Sequence, residues 1–141
     1  MIKLICVGRV KEAYIKEGID EFVKRLSAFA NLEVIEIKDS TPEKEAVEII
    51  NKIKEGKVFL LDEKGREYSS LEFSELIKKE MFEKNVTFVI GGPEGLSSEL
   101  KTKYQRIALS KMTFTHEMAR MFFLEQLYRA FMITKNRNYH R

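Results

Sequence analysis

Val86-Thr-Phe-Val-Ile90, followed at once by Gly91-Gly-Pro-Glu-Gly95, is the stretch on which the fold of this chain turns. A short run of β-branched and aromatic residues suits a strand buried on both faces. The glycines after it let the backbone reverse sharply and let a ligand approach closely. In open α/β sheets ligands settle just beyond the carboxyl ends of strands, so this loop marks the expected site. A second apolar run, Ile107 to Leu109, ends in another small polar loop, Ser110 to Thr115, and strengthens that expectation.

Upstream, Ile2 to Val7 reads as a first strand closed by Gly8. From Lys11 to Phe29 the residues Tyr14, Ile15, Ile19, Phe22, Val23 and Leu26 recur at helical spacing, predicting an amphipathic helix with those positions inward. Leu32 to Ile37 is a strand with glutamates on one side. Thr41 can cap a helix whose first turn tolerates Pro42 and suits Glu43 and Glu45, and Gly56 ends it. Val58 to Leu61 is the next buried strand. After it come Asp62, Glu63, Lys64 and Gly65, then a helix capped by Ser69 or Ser70, with Leu71, Phe73, Leu76, Ile77 and Phe82 inward. Downstream lie a short helix from Ser97 or Ser98, the Ile107 strand, and a long helix from about Thr115 to Thr134. Strands alternating with helices predict an α/β fold, a mostly parallel sheet with helices on both faces. No linker or repeat interrupts it, so residues 1–141 read as one domain.

The last helix is apolar nearly all round. Met118, Met121, Phe122, Tyr128 and Met132 take one face, and Phe123, Leu124, Leu127 and Phe131 another. Its own sheet covers one side, so the pattern predicts a second copy on the other and hence a homodimer.

With 44% apolar and 33% charged residues the composition is that of an ordinary globular protein. No apolar run approaches the roughly 20 residues of a membrane span, and the start lacks a signal-peptide pattern, so a cytoplasmic location away from membranes is expected. Cys6, the single cysteine, falls inside a strand and reads as a buried, inert thiol. Two histidines and one cysteine, far apart, make no metal site. Residues 1–100 carry 16 Lys/Arg against 20 Asp/Glu, whereas residues 101–141 carry 9 against 2. A basic third on a mildly acidic body points either to a polyanionic partner or to a merely solvated basic surface.

Four separated motifs and the chain end now come together. Leu60-Leu-Asp-Glu-Lys-Gly65, Ile90-Gly-Gly-Pro-Glu-Gly95, Leu109-Ser-Lys-Met-Thr-Phe-Thr-His116 and Glu125-Gln-Leu-Tyr-Arg-Ala130 precede a terminal Tyr139-His-Arg141. In this order they resemble the small SPOUT-class methyltransferases that modify N3 of a pseudouridine in 23S, large-subunit ribosomal RNA. The resemblance covers essentially the whole chain. It implies a C-terminal trefoil knot, a homodimer, and S-adenosylmethionine held against Leu61, Gly92, Ser110, Lys111, Met112, Thr113, Phe114 and Thr115. It also implies that Tyr139, His140 and Arg141 serve catalysis on RNA, with the assembled ribosome supplying the shape that is recognised. The lead into that tail, Lys135-Asn-Arg-Asn138, departs from the Gly-Glu-Pro-like pattern of the family.

The residue chemistry agrees with such a reaction. Backbone amides and aliphatic walls can hold an adenine, and no G-x-G-x-x-G fingerprint is present. A uracil-type N3 must lose its proton before it attacks a methyl group, and His140 is the expected acceptor, with His116 its rival. Arg141 would hold a phosphate or the developing oxygen anion, and Tyr139 would stack on a base. Arg129, Lys135 and Arg137 are candidate phosphate contacts. Glu94 stands either near the sulfonium or as the cap of the following helix. Two further readings stay open: a non-catalytic ribosome-assembly or RNA-binding factor, and a small nucleotide-binding enzyme using the loop 91–95 on a phosphate.

Overall fold

The computed structural model describes residues 1–83 and 85–140. Its elements are β1 (Ile2–Val7), α1 (Ala13–Leu26), β2 (Leu32–Ile37), α2 (Pro42–Lys52), β3 (Lys57–Glu67), α3 (Ser70–Phe82), β4 (Val86–Ile90), α4 (Ser98–Lys103), β5 (Gln105–Ala108) and α5 (His116–Thr134). The strands form one sheet in the order β2-β1-β4-β3-β5, and every pairing is parallel. The central strands β1 and β4 are buried along their whole length. A parallel sheet covered on both faces requires that, and it explains their continuous apolar runs.

Alternate residues feed two cores. Leu4, Cys6, Phe59, Phe88 and Ile90 meet α1, α3 and α5 on one face. Ile5, Val7, Val58, Leu60 and Val89 meet Ala46 and Ile49 of α2 and Leu100 of α4 on the other. Side chains of neighbouring strand residues point to opposite faces, so an unbroken apolar strand packs against both layers. Cys6 is fully buried, and burial pushes its thiol pKa up to about 12 despite the opposing charge of Arg120.

The helix starts follow the capping residues. Thr41 Oγ1 accepts from the Lys44 amide at 3.3 Å, and Ser97 Oγ from Leu100 at 3.2 Å. Ser69, not Ser70, caps α3, in a reciprocal box with Glu72. Thr115 Oγ1 accepts from Met118 at 3.2 Å. Among the described residues no helix is long and apolar enough to cross a membrane.

Several sequence expectations are corrected. Tyr14 points outward and is 59% exposed, and Val47, Leu71 and Phe82 are exposed as well. The strand after Gly56 does not end at Leu61 but runs to Glu67, and β5 spans 105–108, earlier than the apolar residues suggested. Most of the second face of α5 is covered by its own chain. Tyr128 packs against Phe22, Phe29 and Tyr139, and Met121 presses on Gly18 of α1. The apolar pattern of α5 is therefore satisfied largely by α1, α3 and the tail, and only Phe122 is left among the large exposed apolar residues of that helix. Amphipathicity alone thus gives weaker ground for a homodimer than the sequence suggested.

Candidate functional site

A cavity of about 800 Å³ opens at the carboxyl ends of β4 and β5 and beside the bulge of β3. Its walls include Leu61 from β3, Ile90 and Gly91–Leu96 after β4, Leu109 and Ser110 after β5, and Met112 to Ala119. Leu61, Gly92, Ser110, Met112, Thr113, Phe114 and Thr115, named from the sequence for a cofactor, all line this one space. Lys111 does not. Its side chain is 82% exposed and pairs with Glu67 at 3.7 Å.

The loop after β4 is a tight turn. The Gly95 amide donates to the Gly92 carbonyl at 3.0 Å, and Gly95 has φ +79°, which glycine adopts without strain. A Cβ at Gly92 would meet Val7 Cγ1 at 3.1 Å, and one at Gly91 would meet Leu96 at 3.0 Å. The turn is pressed against its surroundings, and backbone forms the cavity floor there. The cap of α4 is Ser97, whereas Glu94 stays exposed on the rim.

The bulge of β3 and the loop after β5 are tied together. Thr113 Oγ1 donates to the Glu63 carboxylate, and Met112 N donates to Ser110 Oγ at 3.0 Å. Asp62 accepts from the Lys64 amide at 3.0 Å and from Arg106 at 3.3 Å, with Lys101 at 3.8 Å. Burial alone would raise the Asp62 pKa, but these donors outweigh it and hold the carboxyl below its ordinary range. The carboxylates at 62 and 63 are therefore braces of the cavity wall. Leu61, Leu109 and Phe114 also border a smaller hollow of about 270 Å³ beside α3 and α5.

The fourth wall, the loop between β1 and α1, is gripped by the first turns of α5. Glu117 Oε1 accepts from the amides of Lys11 at 2.9 Å and Glu12 at 3.1 Å. The bond from Glu12, with that from Lys11, lowers the Glu117 pKa against the effect of burial. One turn on, buried Arg120 donates to the Gly8 carbonyl at 2.9 Å and to Glu36 at 2.5 Å. His116 lies beside Gly8 and lines the cavity. Sequence reasoning missed Tyr14, Glu117 and Arg120. The available signal was two charges, 117 and 120, inside a helix start that is otherwise apolar.

The tail lies elsewhere. Tyr139 Oη donates to Glu125 Oε2 at 2.8 Å, and Arg129 donates to the same oxygen at 2.8 Å. Arg129 Nη1 is 3.1 Å from His140 Nδ1 and stacks over the Tyr139 ring. Arg129 is therefore committed within the chain and is not a free phosphate contact. Burial, then the bond to Glu125, raises the Tyr139 pKa. Arg141 lies outside the described residues. Tyr139 and Arg129 meet at Glu125, 6 positions along α5 from Ala119, the last residue of that helix in the cavity wall, which at 1.5 Å per residue is ~9 Å. Neither Tyr139 nor His140 lines the cavity of its own chain.

Among the described residues no group of three or more His, Cys, Asp or Glu is arranged to hold a metal. The family model described as "Predicted SPOUT methyltransferase" matches residues 1–140. The chain is 45% identical over 157 aligned residues to ribosomal RNA large subunit methyltransferase H 1 of Clostridium perfringens, covering 99% of each. It is 41% identical over 154 to ribosomal RNA large subunit methyltransferase H of Caldicellulosiruptor saccharolyticus, covering all of both. It is 41% identical over 157 to the protein of the same name from Streptococcus uberis, covering 99% of each. A parallel α/β sheet, a cavity at the edge where β4 and β5 end, and similarity along the whole length converge: the chain belongs to the SPOUT methyltransferase family, which implies a methyl donor as cosubstrate and a trefoil knot in the C-terminal half.

Proposed function

We propose that this protein is an S-adenosylmethionine-dependent methyltransferase acting on N3 of a pseudouridine in 23S ribosomal RNA, on the assembled ribosome and as a homodimer. The observation that carries the reading is the meeting of seven sequence-named residues in one cavity of about 800 Å³ at the edge of the sheet where β4 and β5 end. That volume lies within the usual range for small-molecule sites. The residues present fit the donor. Leu61, Ile90, Leu109, Phe114 and Met118 offer aliphatic and aromatic walls for an adenine, and the side-chain-free backbone of Gly91 and Gly92 forms part of the lining. Glu12 and Glu94 belong to the cavity lining, their carboxylates form no hydrogen bond or ion pair among the described residues, and their charge suits a cation. When bound, the donor supplies an electrophilic methyl group on a positively charged sulfur.

The chain's own task is then to present a deprotonated ring nitrogen in line with that methyl group, and alignment can lower the barrier by roughly 7–11 kcal/mol at best. His140 is the proposed proton acceptor. A guanidinium can only donate, so in the docked tail Nδ1 is the accepting atom and the ring is neutral, with its proton assigned to Nε2. Accepting the substrate proton at Nδ1 therefore requires Arg129 to let go. Arg141 would stabilise the oxygen anion of the base through its donor fork. Because neither Tyr139 nor His140 lines the cavity of its own chain, the tail that completes each site is assigned to the second subunit. Met112 and Phe122 are exposed apolar residues that a second subunit could cover.

Titration calorimetry with S-adenosylmethionine, followed by methyl transfer to bacterial 70S ribosomes lacking the modification, tests the reading. Donor binding and a new N3-methylpseudouridine by mass spectrometry are expected. Binding without transfer would mark a non-catalytic ribosome factor, and a preference for ATP would mark a nucleotide-binding enzyme.

A further inference from the structure

Resting on the reading above, we infer that the loop between β1 and α1 is the RNA-side lip of the donor cavity, with Tyr14 as a base platform and Arg9 and Lys11 as phosphate contacts. Four observations carry this. First, Tyr14 lines the cavity yet leaves more than half its surface in solvent. A large aromatic at the mouth of a site, contributing little to the core, is suited to a planar partner. Second, Arg9, Lys11 and, on the neighbouring strand end, Lys38 are exposed and form no ion pair among the described residues. They are close along the backbone, because β1 pairs with β2 up to Val7 and Ile37 and the Gly8 amide donates to the Ile37 carbonyl at 2.7 Å.

Third, this lip is pre-formed. Glu117 holds the amides of Lys11 and Glu12, and Arg120 holds the carbonyl of Gly8, all from α5. A loop so fixed loses little further entropy when a partner lands on it. Fourth, the charge is segregated. Inside the cavity carboxylates outnumber cations, which repels phosphate, so the backbone of an RNA must be held outside while one base reaches in. Lys11 immediately precedes Glu12 of the cavity wall, and Arg9 is two residues before Lys11 in the same loop.

The test uses the full-length protein, S-adenosylmethionine, and 70S ribosomes lacking the modification. The double variant Arg9→Gln/Lys11→Gln should keep donor affinity within about twofold. Its kcat/KM for ribosomes should fall roughly 10- to 100-fold, mainly through KM, and its log–log salt dependence should flatten by about one to two units, since each lost phosphate contact removes ~0.7–0.9. Tyr14→Ala should lose roughly 10- to 100-fold in kcat/KM, whereas Tyr14→Phe should stay near wild type, because stacking needs the ring and not the hydroxyl. An unchanged ribosome KM and salt slope in the double variant would overturn the inference. So would conversion of Tyr14→Ala to a monomer in sedimentation, which would make this ring a seat for the second subunit. Failure of the wild-type protein to bind the donor would instead remove the underlying reading, and this inference with it.

Discussion

Gly65→Ala is the substitution whose cost can be worked most directly from the geometry. A Cβ at Gly65 would lie 2.6 Å from Arg106 C, 2.7 Å from Ile107 N and 2.8 Å from Ile107 C. All three are backbone atoms of β5, where no flexible side chain can swing aside. Ile107 pairs with both Leu61 and Arg66, so β3 meets β5 on either side of a bulge that contains Gly65. Ordinary contact begins near 3.4 Å, and relief therefore needs a shift of about 0.7 Å in β5 or in the bulge. Overpacking of this kind costs about 1–3 kcal/mol, and rigid backbone obstacles put it near the upper end. The lower entropy of an unfolded alanine offsets about 0.5 kcal/mol. The net loss is about 2 kcal/mol. With an unfolding entropy of roughly 0.3 kcal/mol per kelvin for 141 residues, Tm should fall by about 7 °C in a calorimetric scan. Because Arg106 braces Asp62, donor affinity should weaken as well. Gly95→Ala is the control, since its Cβ meets nothing within 4 Å and only the positive φ is penalised, by about 1–2 kcal/mol. A Gly65→Ala protein melting within 1–2 °C of wild type would refute the reasoning.

Four further outcomes are expected. His140→Ala should slow methyl transfer roughly 10²–10⁴-fold with donor affinity intact, as read by single-turnover kinetics and calorimetry. Gly92→Val should abolish donor binding in calorimetry while far-ultraviolet circular dichroism stays native, since its Cβ would press on Val7 Cγ1 at 3.1 Å and displace the turn that lines the cavity. Mixing those two inactive proteins and letting subunits exchange should restore about a quarter of wild-type turnover, because half the dimers then own one intact pocket facing one intact tail. Glu117 has a pKa lowered from its ordinary 4.5, so its hold on the β1–α1 loop is present above that pH and lost as pH falls through the folded value. Amide exchange at Lys11 and Glu12, followed downward from pH 5, should show protection disappearing there, and Glu117→Gln should weaken it at neutral pH.

Where structure depends on neighbours in the chain, the sequence was readable. β1, β2 and β4 came out at their full bounds because β-branched runs are self-evident, and Thr41, Ser69, Ser97 and Thr115 announce helix starts by their hydroxyls. The edge where a site would lie was readable too, because loops after buried strands share one edge of a parallel sheet, whereas the individual cofactor candidates came from the family resemblance. What depends on distant partners was not. The polar segment Asp62–Glu67 looks like a loop and becomes strand only because β5 pairs with it again beyond the bulge. Tyr14 groups with Ile15 and Ile19 in the apolar pattern, yet it faces the cavity and solvent while Ile15 beside it turns into the core. The second apolar face of α5 suggested a partner because α1 could not be placed against it from periodicity. Glu117 and Arg120 are charges whose acceptors and donors are more than eighty residues away.

The strand order also sets a timetable for synthesis. β1 lies between β2 and β4, and its pairing with Val86–Ile90 cannot form until that segment has been made. At ~5–20 residues per second, β1 waits roughly 4–16 s with one hydrogen-bonding edge bare. Throughout that interval the nascent chain is a natural client for a holding chaperone, and variants that weaken β1 against β2 would betray themselves as lower yield before any loss of finished enzyme.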